Sequence, residues 1–279
     1  MARFASYDGT QIGYRVLGDG PPLVCLPGGP GRSCEYFGDL GGLGRSRTLI
    51  LPDTRGTGES ADASDPISYR CDRLVGDVEA LRAHLGLDRM DLLGHSAAGE
   101  VATLYAAAFP QRVAHLILLN PGLDALGVEE TDEQWRTALA LRSAQPWYPA
   151  ALAAMDKAEA GDGSMDNRRA YMPFYYGRWD DAARAHVDVG VGERSRPVQD
   201  VFRAEGAFDP PTTRRAVGRL AAPVLIYAGE LDAAPTPEIA AAGAGWFAHA
   251  RVTVQPGAGH FPWLDDPAFF TAALTSFLS

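Results

Sequence analysis

Residues 90–110 read M-D-L-L-G-H-S-A-A-G-E-V-A-T-L-Y-A-A-A-F-P, and this stretch decides the fold. A short apolar run meets a turn of small residues carrying one serine, and a long alanine-rich segment follows. That pattern is strand, sharp turn, helix. The helix aims free backbone N–H groups and the positive end of its dipole at the turn, where the hydroxyl of Ser96 would stand exposed at the end of a sheet. Gly94, His95, Ser96 and Ala97 satisfy a G-x-S-x-G elbow, but Ala98 occupies the second glycine position and Gly99 follows it. Alanine is the smallest departure, so the turn is expected to survive with slightly looser helix packing. On these residues alone the competing reading is a glycine-rich turn with Ser96 as the N-cap of an ordinary helix.

The chain around this stretch has 279 residues, 46% apolar and 22% charged, enough for one large core or two small ones. A formal net charge of −10 argues against a phosphate-backbone partner, so no nucleic acid is expected. Cys25, Cys34 and Cys71 are an odd number with no C-x-x-C pair, which argues against a disulfide framework or a zinc site. The opening M-A-R-F-A-S-Y-D-G-T lacks the apolar run of a signal peptide, and the apolar stretches are only strand length. The expectation is a cytoplasmic protein with no membrane span, no metal and no other cofactor. The composition carries no signal for oligomeric state.

Before the elbow, residues 3–17 read as two short strands around the Asp8-Gly9-Thr10 turn. Leu23 to Leu26 is a compact apolar strand running into P-G-G-P-G, Pro27 to Gly31, and Arg47 to Leu51 is the next, followed by D-T-R-G-T-G-E-S, Asp53 to Ser60. Leu74, Val78, Leu81 and Leu85 recur at helical spacing, predicting an amphipathic helix over 70–86. After the elbow, Val113 to Leu119 is another apolar run. Strands alternating with helices imply an α/β fold with a mostly parallel sheet covered on both faces. The rhythm stops from about Gly122 to Thr212, a segment rich in aromatics and charge with no clear strand. It resumes with a helix at 212–220, a strand from Val224 to Ala228 ending in Gly229-Glu230-Leu231-Asp232, a last strand around Val252 and Val254, and P-G-A-G-H-F-P-W, which puts His260 on a flexible loop before a terminal helix.

In an open parallel sheet, ligands bind beyond the carboxyl ends of the strands. The Pro27–Gly31 loop, Ser96, Asp232 and His260 all fall at such ends. Serine is a poor nucleophile unless an imidazole takes its proton, and that imidazole needs a carboxylate to fix its tautomer and steady its charged form. The order Ser96, Asp232, His260 is the one the α/β-hydrolase arrangement requires.

At these residues the chain resembles the α/β-hydrolase superfamily, and within it the proline-iminopeptidase-like branch, over nearly its full length. The branch's H-G-G-P-G loop is similar to Pro27, Gly28, Gly29, Pro30 and Gly31, with proline replacing the histidine. Its D-x-R-G-x-G-x-S segment matches Asp53, Arg55, Gly56, Gly58 and Ser60. Its acid-strand G-x-x-D matches Gly229 and Asp232, and its G-x-G-H matches Gly257, Gly259 and His260. The resemblance implies Ser96 as nucleophile, His260 as general base and then acid, Asp232 as the orienting carboxylate, and the backbone N–H groups of Gly29 and Ala97 as the oxyanion hole. Asp53 and Arg55 look structural.

Residues 1–121 and 213–279 would then form the core domain and 122–212 a helical cap over the serine. Trp147, Tyr175, Tyr176 and Trp179 from the cap, with Gly28 below, are expected at the substrate; the plain alternative is that such aromatics pack the cap onto the core. Proline iminopeptidases read a free N-terminal ammonium with cap carboxylates, for which Glu129, Glu130, Asp132, Glu133, Asp200 and Glu205 are candidates. The branch's G-G-S-W-G context is replaced by G-H-S-A-A-G, so a small acyl ester is at least as good a substrate as a short peptide, and lactonase or acyltransferase chemistry on a small metabolite belongs to the same class.

Bland readings surround these residues. His84, His115, His186 and His249 read as surface or core residues, and His95 should point to the other side of the turn from Ser96. Glu230 is the rival to Asp232, and Cys34 would line the pocket mouth passively. A dinucleotide oxidoreductase would use Gly29, Gly31 and Asp53, but Cys34 takes the third glycine position and Ser96 and His260 are left unexplained. Epoxide hydrolase or haloalkane dehalogenase chemistry needs an acidic nucleophile where Ser96 stands. A non-catalytic binding protein on the same fold is the remotest alternative.

Overall fold

The computed structural model describes residues 1–190 and 194–279. Eight strands form one sheet: β1 (Ala2–Ala5), β2 (Gln11–Leu17), β3 (Pro22–Leu26), β4 (Thr48–Pro52), β5 (Met90–His95), β6 (Val113–Leu119), β7 (Val224–Gly229) and β8 (Ala250–Gln255). Their order is β1-β2-β4-β3-β5-β6-β7-β8, with β1 and β2 antiparallel to their neighbours and the rest parallel. The chain steps from β3 outward to β4, then returns past β3 to lay down β5. The strand order therefore reverses between β3 and β5, where an open α/β sheet leaves a crevice at its carboxyl edge.

The central strands are unbroken apolar runs because both faces of the sheet are covered. In β6, Leu116 and Leu118 join one buried cluster while Ile117 and Leu119 join the other. The same alternation splits Val224, Ile226 and Ala228 from Leu225 and Tyr227 in β7. One face is packed by α1 (Cys71–His84) and α2 (Ala98–Ala108), the latter contributing Val101, Ala102 and Tyr105.

Between β6 and β7 the chain forms α3 (Asp132–Ala140), α4 (Tyr148–Glu159), α5 (Met165–Tyr171), α6 (Asp181–Gly190), α7 (Arg196–Phe202) and α8 (Pro210–Val217), with no strand among the described residues. Residues 191–193, within the range expected as a cap, lie outside those described. The chain closes with α9 (Pro237–Ala244), α10 (Pro262–Asp265) and α11 (Pro267–Phe277), whose Phe270, Leu274 and Phe277 are buried. Among the described residues no helix is long and apolar enough to cross a membrane. The three cysteines are free and buried, and Cys34 is sealed in the core rather than lining a pocket mouth, its thiol pushed up by burial.

Candidate active site

Ser96 sits between β5 and α2 with φ +54°, a left-handed conformation that a serine adopts only when the surroundings hold it there. The N-cap residue of α2 is Ala97, and no side chain caps the helix, so the hydroxyl of Ser96 is not used as a cap. The elbow is packed from below by Gly28: a Cβ there would lie 2.7 Å from the Ser96 Cβ and 2.6 Å from the His95 carbonyl oxygen. Gly28 is therefore a spacer under the serine rather than a substrate contact. Ala98 is accommodated, whereas a Cβ on Gly99 would come within 2.5 Å of Pro121. The need for a bare backbone has moved one residue along.

Beyond β7, the Asp232 carboxylate meets Nδ1 of His260 at 2.7 Å, and Asp232 is 2% exposed. The rival Glu230 turns away and accepts from the Gly257 amide at 2.7 Å. Ser96 and His260 line one cavity of about 160 Å³, together with Gly29 and Tyr175. The amides of Gly29 and Ala97 have no hydrogen-bond acceptor among the described residues, and the Gly28-Gly29 backbone lies directly against the elbow.

Three residues that sequence reasoning passed over hold this arrangement. Asn120, at the end of β6 with φ +44°, donates its Nδ2 to Asp232 at 2.6 Å. Asp265 accepts from the amides of Gly259, Gly177 and Arg178, stitching the histidine loop to residues 177–178. The His260 amide also donates to the Tyr175 carbonyl at 2.8 Å, so the expected flexible loop is anchored at several points.

The third is His95, which does more than point aside. Its Nε2 lies 2.9 Å from the His260 carbonyl, an acceptor only, so Nε2 carries the proton and Nδ1 accepts from the Tyr36 hydroxyl at 2.8 Å. That hydroxyl in turn accepts from the Gly28 amide at 2.9 Å. A buried chain thus runs from the glycine loop to the backbone of His260. Burial holds His95 well below the usual imidazole range, and the neighbouring His260 adds to that, so its ring stays neutral. His186 completes the layer, donating to the Tyr36 carbonyl and accepting from the Tyr176 hydroxyl, with burial lowering it to about 4.

The expected aromatic wall is mostly elsewhere. Tyr175 lines the cavity and meets the His260 ring edge-on, at 5.6 Å between centroids. Tyr176 is 1% exposed and committed to His186, Trp179 packs on Tyr176, and Trp147 packs on Phe174. Tyr171, Arg32 and Arg194, none of them expected there from the sequence, line the cavity where Trp147, Tyr176 and Trp179 were expected. Arg194 reaches the Gly29 carbonyl at 3.5 Å.

On the opposite side of Ser96 a second hollow, of about 260 Å³, is lined by Asp124, Glu129, Glu130 and Arg203. Arg203 bridges Asp124 and the fully buried Glu100, and Glu130 accepts from the Thr236 amide. Of the other candidate acids, Asp132 and Glu133 lie in the exposed first turn of α3, which Thr131 caps, Asp200 pairs with Arg196, and Glu205 is exposed. Asp53 accepts from the amides of Cys34 and Glu59, while Arg55 is fully buried between Asp8 and Asp77, so both serve structure. His84 and His115 engage Tyr14 and Asp91, and His249 is exposed. No cluster of His, Cys, Asp and Glu suited to a metal occurs among the described residues.

Comparison with known proteins identifies the family of the fold. The alpha/beta hydrolase fold profile aligns with residues 21–267. A proline iminopeptidase of Heyndrickxia coagulans is 34% identical over 125 residues, 44% of this chain and 43% of that protein, so this match spans less than half the relative's length. A proline iminopeptidase of Levilactobacillus brevis is 27% identical over 288 residues, 96% of this chain and 93% of the relative. Among solved structures, the esterase RhEst1 of Rhodococcus sp. ECU1013 superposes with a TM-score of 0.70 at 25% identity, covering 99% of this chain and 98% of that one.

Proposed function

The chain belongs to the α/β-hydrolase family and is a proline-iminopeptidase-like hydrolase, and from that premise we propose that it cleaves a small ester or amide through an acyl-enzyme formed on Ser96. The observation that carries this reading is the Asp232–His260 contact of 2.7 Å beside a serine strained to φ +54° on the same cavity wall.

In this reading Asp232 holds the imidazole with its Nδ1 protonated, leaving Nε2 to take the Ser96 proton as the hydroxyl attacks the carbonyl carbon. The oxyanion is received by the amides of Gly29 and Ala97; losing one such donor costs about 2.7–4 kcal/mol of transition-state stabilisation. His260 then protonates the leaving group. Water, activated by the same ring, releases the acid and restores the hydroxyl. The helices over residues 122–212 act as a cap that keeps bulk water from the acyl-enzyme.

The test is a fluorophosphonate probe followed by peptide mass spectrometry. Stoichiometric labelling of Ser96, absent in Ser96→Ala, is expected; an unlabelled wild-type protein, or an active Ser96→Ala variant, overturns the reading. A second reading, that the enzyme removes an N-terminal amino acid, draws support from Glu129 and Glu130 on the acidic hollow beside Ser96. It predicts cleavage of aminoacyl p-nitroanilides and none of their N-acetylated forms, whereas a general esterase treats both alike.

A further inference from the structure

Arg142 follows α3 in the segment between β6 and β7 and is 4% exposed. Its Nη1 carries two hydrogens, and it donates to the carbonyl of Phe174 at 2.7 Å and to that of Tyr176 at 3.2 Å. The carbonyl between them, that of Tyr175, accepts the His260 amide at 2.8 Å. One guanidinium thus holds two alternate carbonyls, and the residue they flank carries the backbone of His260. The two stretches meet without slack: a Cβ on Gly177 would lie 1.9 Å from the Gly257 carbonyl oxygen, and one on Gly259 would lie 2.7 Å from that of Tyr175. A shift of residues 174–177 is therefore passed to the histidine loop. Asp265 ties the same stretches together through the amides of Gly177 and Gly259, at 3.0 and 2.8 Å. For stability alone an arginine is a costly choice at this place. Its Nε and Nη2 are buried with no acceptor among the described residues. Burial lowers it to about 10 against the pull of Asp232 and then Asp265, so it stays charged at neutral pH.

We propose that Arg142 is a positioning residue for the reaction at Ser96, acting through the Phe174 and Tyr176 carbonyls on the Tyr175 carbonyl from which the His260 amide hangs. The inference rests on Ser96 as nucleophile and His260 as its base, and it brings a residue of the helical segment between β6 and β7 into that machinery. Proton transfer needs the imidazole within hydrogen-bond reach of the hydroxyl, and a displacement of about 1 Å costs about 10²-fold in rate. Asp232 fixes the ring at Nδ1 and the Tyr175 carbonyl fixes the backbone at the amide. Without Arg142 the second hold loosens while the first stays. Arg142 lines neither hollow beside Ser96, so substrate binding should be spared.

Arg142→Met keeps an unbranched side chain but removes the donors. On 4-nitrophenyl acetate it should lower kcat about ten- to a hundredfold, with KM within about threefold of wild type. Fluorophosphonate labelling of Ser96 should slow by a similar factor yet run to full stoichiometry. Arg142→Lys, which keeps donors on a more flexible stem, should fall between wild type and Arg142→Met in both rates. A merely weakened fold would instead lower the fraction of chains that label and leave the rate of the rest unchanged. That outcome, labelling of Arg142→Met at the wild-type rate, or a loss confined to KM overturns the proposal. If Arg142→Met does not fold, Arg142→Lys carries the test: labelling slowed about threefold or more at full stoichiometry supports the role, and labelling at the wild-type rate overturns it. A wild-type protein that takes no label removes the hydrolase reading and this one together, whereas a labelled wild type beside an equally fast Arg142→Met removes the role of Arg142 alone.

Discussion

Ser96 is a wall shared by two hollows whose described linings carry different charged residues. Among the described residues, Arg32, Arg194 and His260 line the hollow toward Tyr175, whereas Asp124, Glu129, Glu130 and Arg203 line the one toward Pro235. A net charge of −10 foretells neither arrangement. The contrast teaches that the two sides of the nucleophile present different charged groups, which the net charge of the chain does not reveal. Over such short distances and inside half-closed walls, these charges are weakly screened.

The largest test of that contrast is the shared wall itself. Ser96→Ala should lower kcat by as much as about 10⁶-fold for every substrate, whichever hollow holds its charged group. Activity persisting for one charge class alone would mean that the hollows do not serve one nucleophile.

The next effect belongs to the Tyr175 side, where the chain from Gly28 through Tyr36 and His95 reaches the His260 backbone. His95→Phe keeps ring packing against Phe37 and Trp263 but removes both hydrogen bonds. A loss of about 10²-fold in kcat with little change in KM, and a matching slowing of fluorophosphonate labelling, is expected. A change confined to thermal stability would show that the chain only holds the fold.

Behind the acidic side lies Glu100, whose carboxyl burial raises from 4.5 to about 8 against the opposing pull of Arg203. The folded state then keeps a proton that the unfolded chain has released, so stability falls as pH rises from about 4.5 to about 8. Glu100→Gln should flatten that decline, by about 1–3 kcal/mol across the window, in melts followed at several pH values. An unaltered slope would assign the decline to other groups.

The smallest effect concerns Glu130, half-buried and already accepting from the Thr236 amide. Glu130→Gln should narrow the preference for a free-amine alanine anilide over its N-acetyl form by no more than about tenfold, as befits a partly solvated charge. No preference to narrow would leave the acidic hollow without a role in reading an ammonium group.

Much of this molecule was readable in the chain. Apolar runs of strand length, the helical repeat of Leu74, Val78 and Leu81, and the small-residue turn at Ser96 are local signals, and the eight-stranded α/β sheet follows them closely. Parallel strands bring their carboxyl ends to one edge whatever the intervening length, so Ser96, Asp232 and His260 were candidates for one site before any coordinates. What the chain hid depends on contacts between distant segments. Asn120 and Arg194 carry no local signal of their place at the site, and His95 reads as a bystander. Trp147, Tyr176 and Trp179 looked as fit for a pocket as Tyr175, yet they pack inward.

The sequence by itself determined the sheet, the strained serine turn and the order of the three polar residues, because each is written in neighbouring side chains and in the handedness of the backbone. Only the tertiary structure decided which groups line the two hollows and what charge each presents. Which way a helical side chain faces is set by the packing of segments far apart in the chain, and no local pattern encodes that.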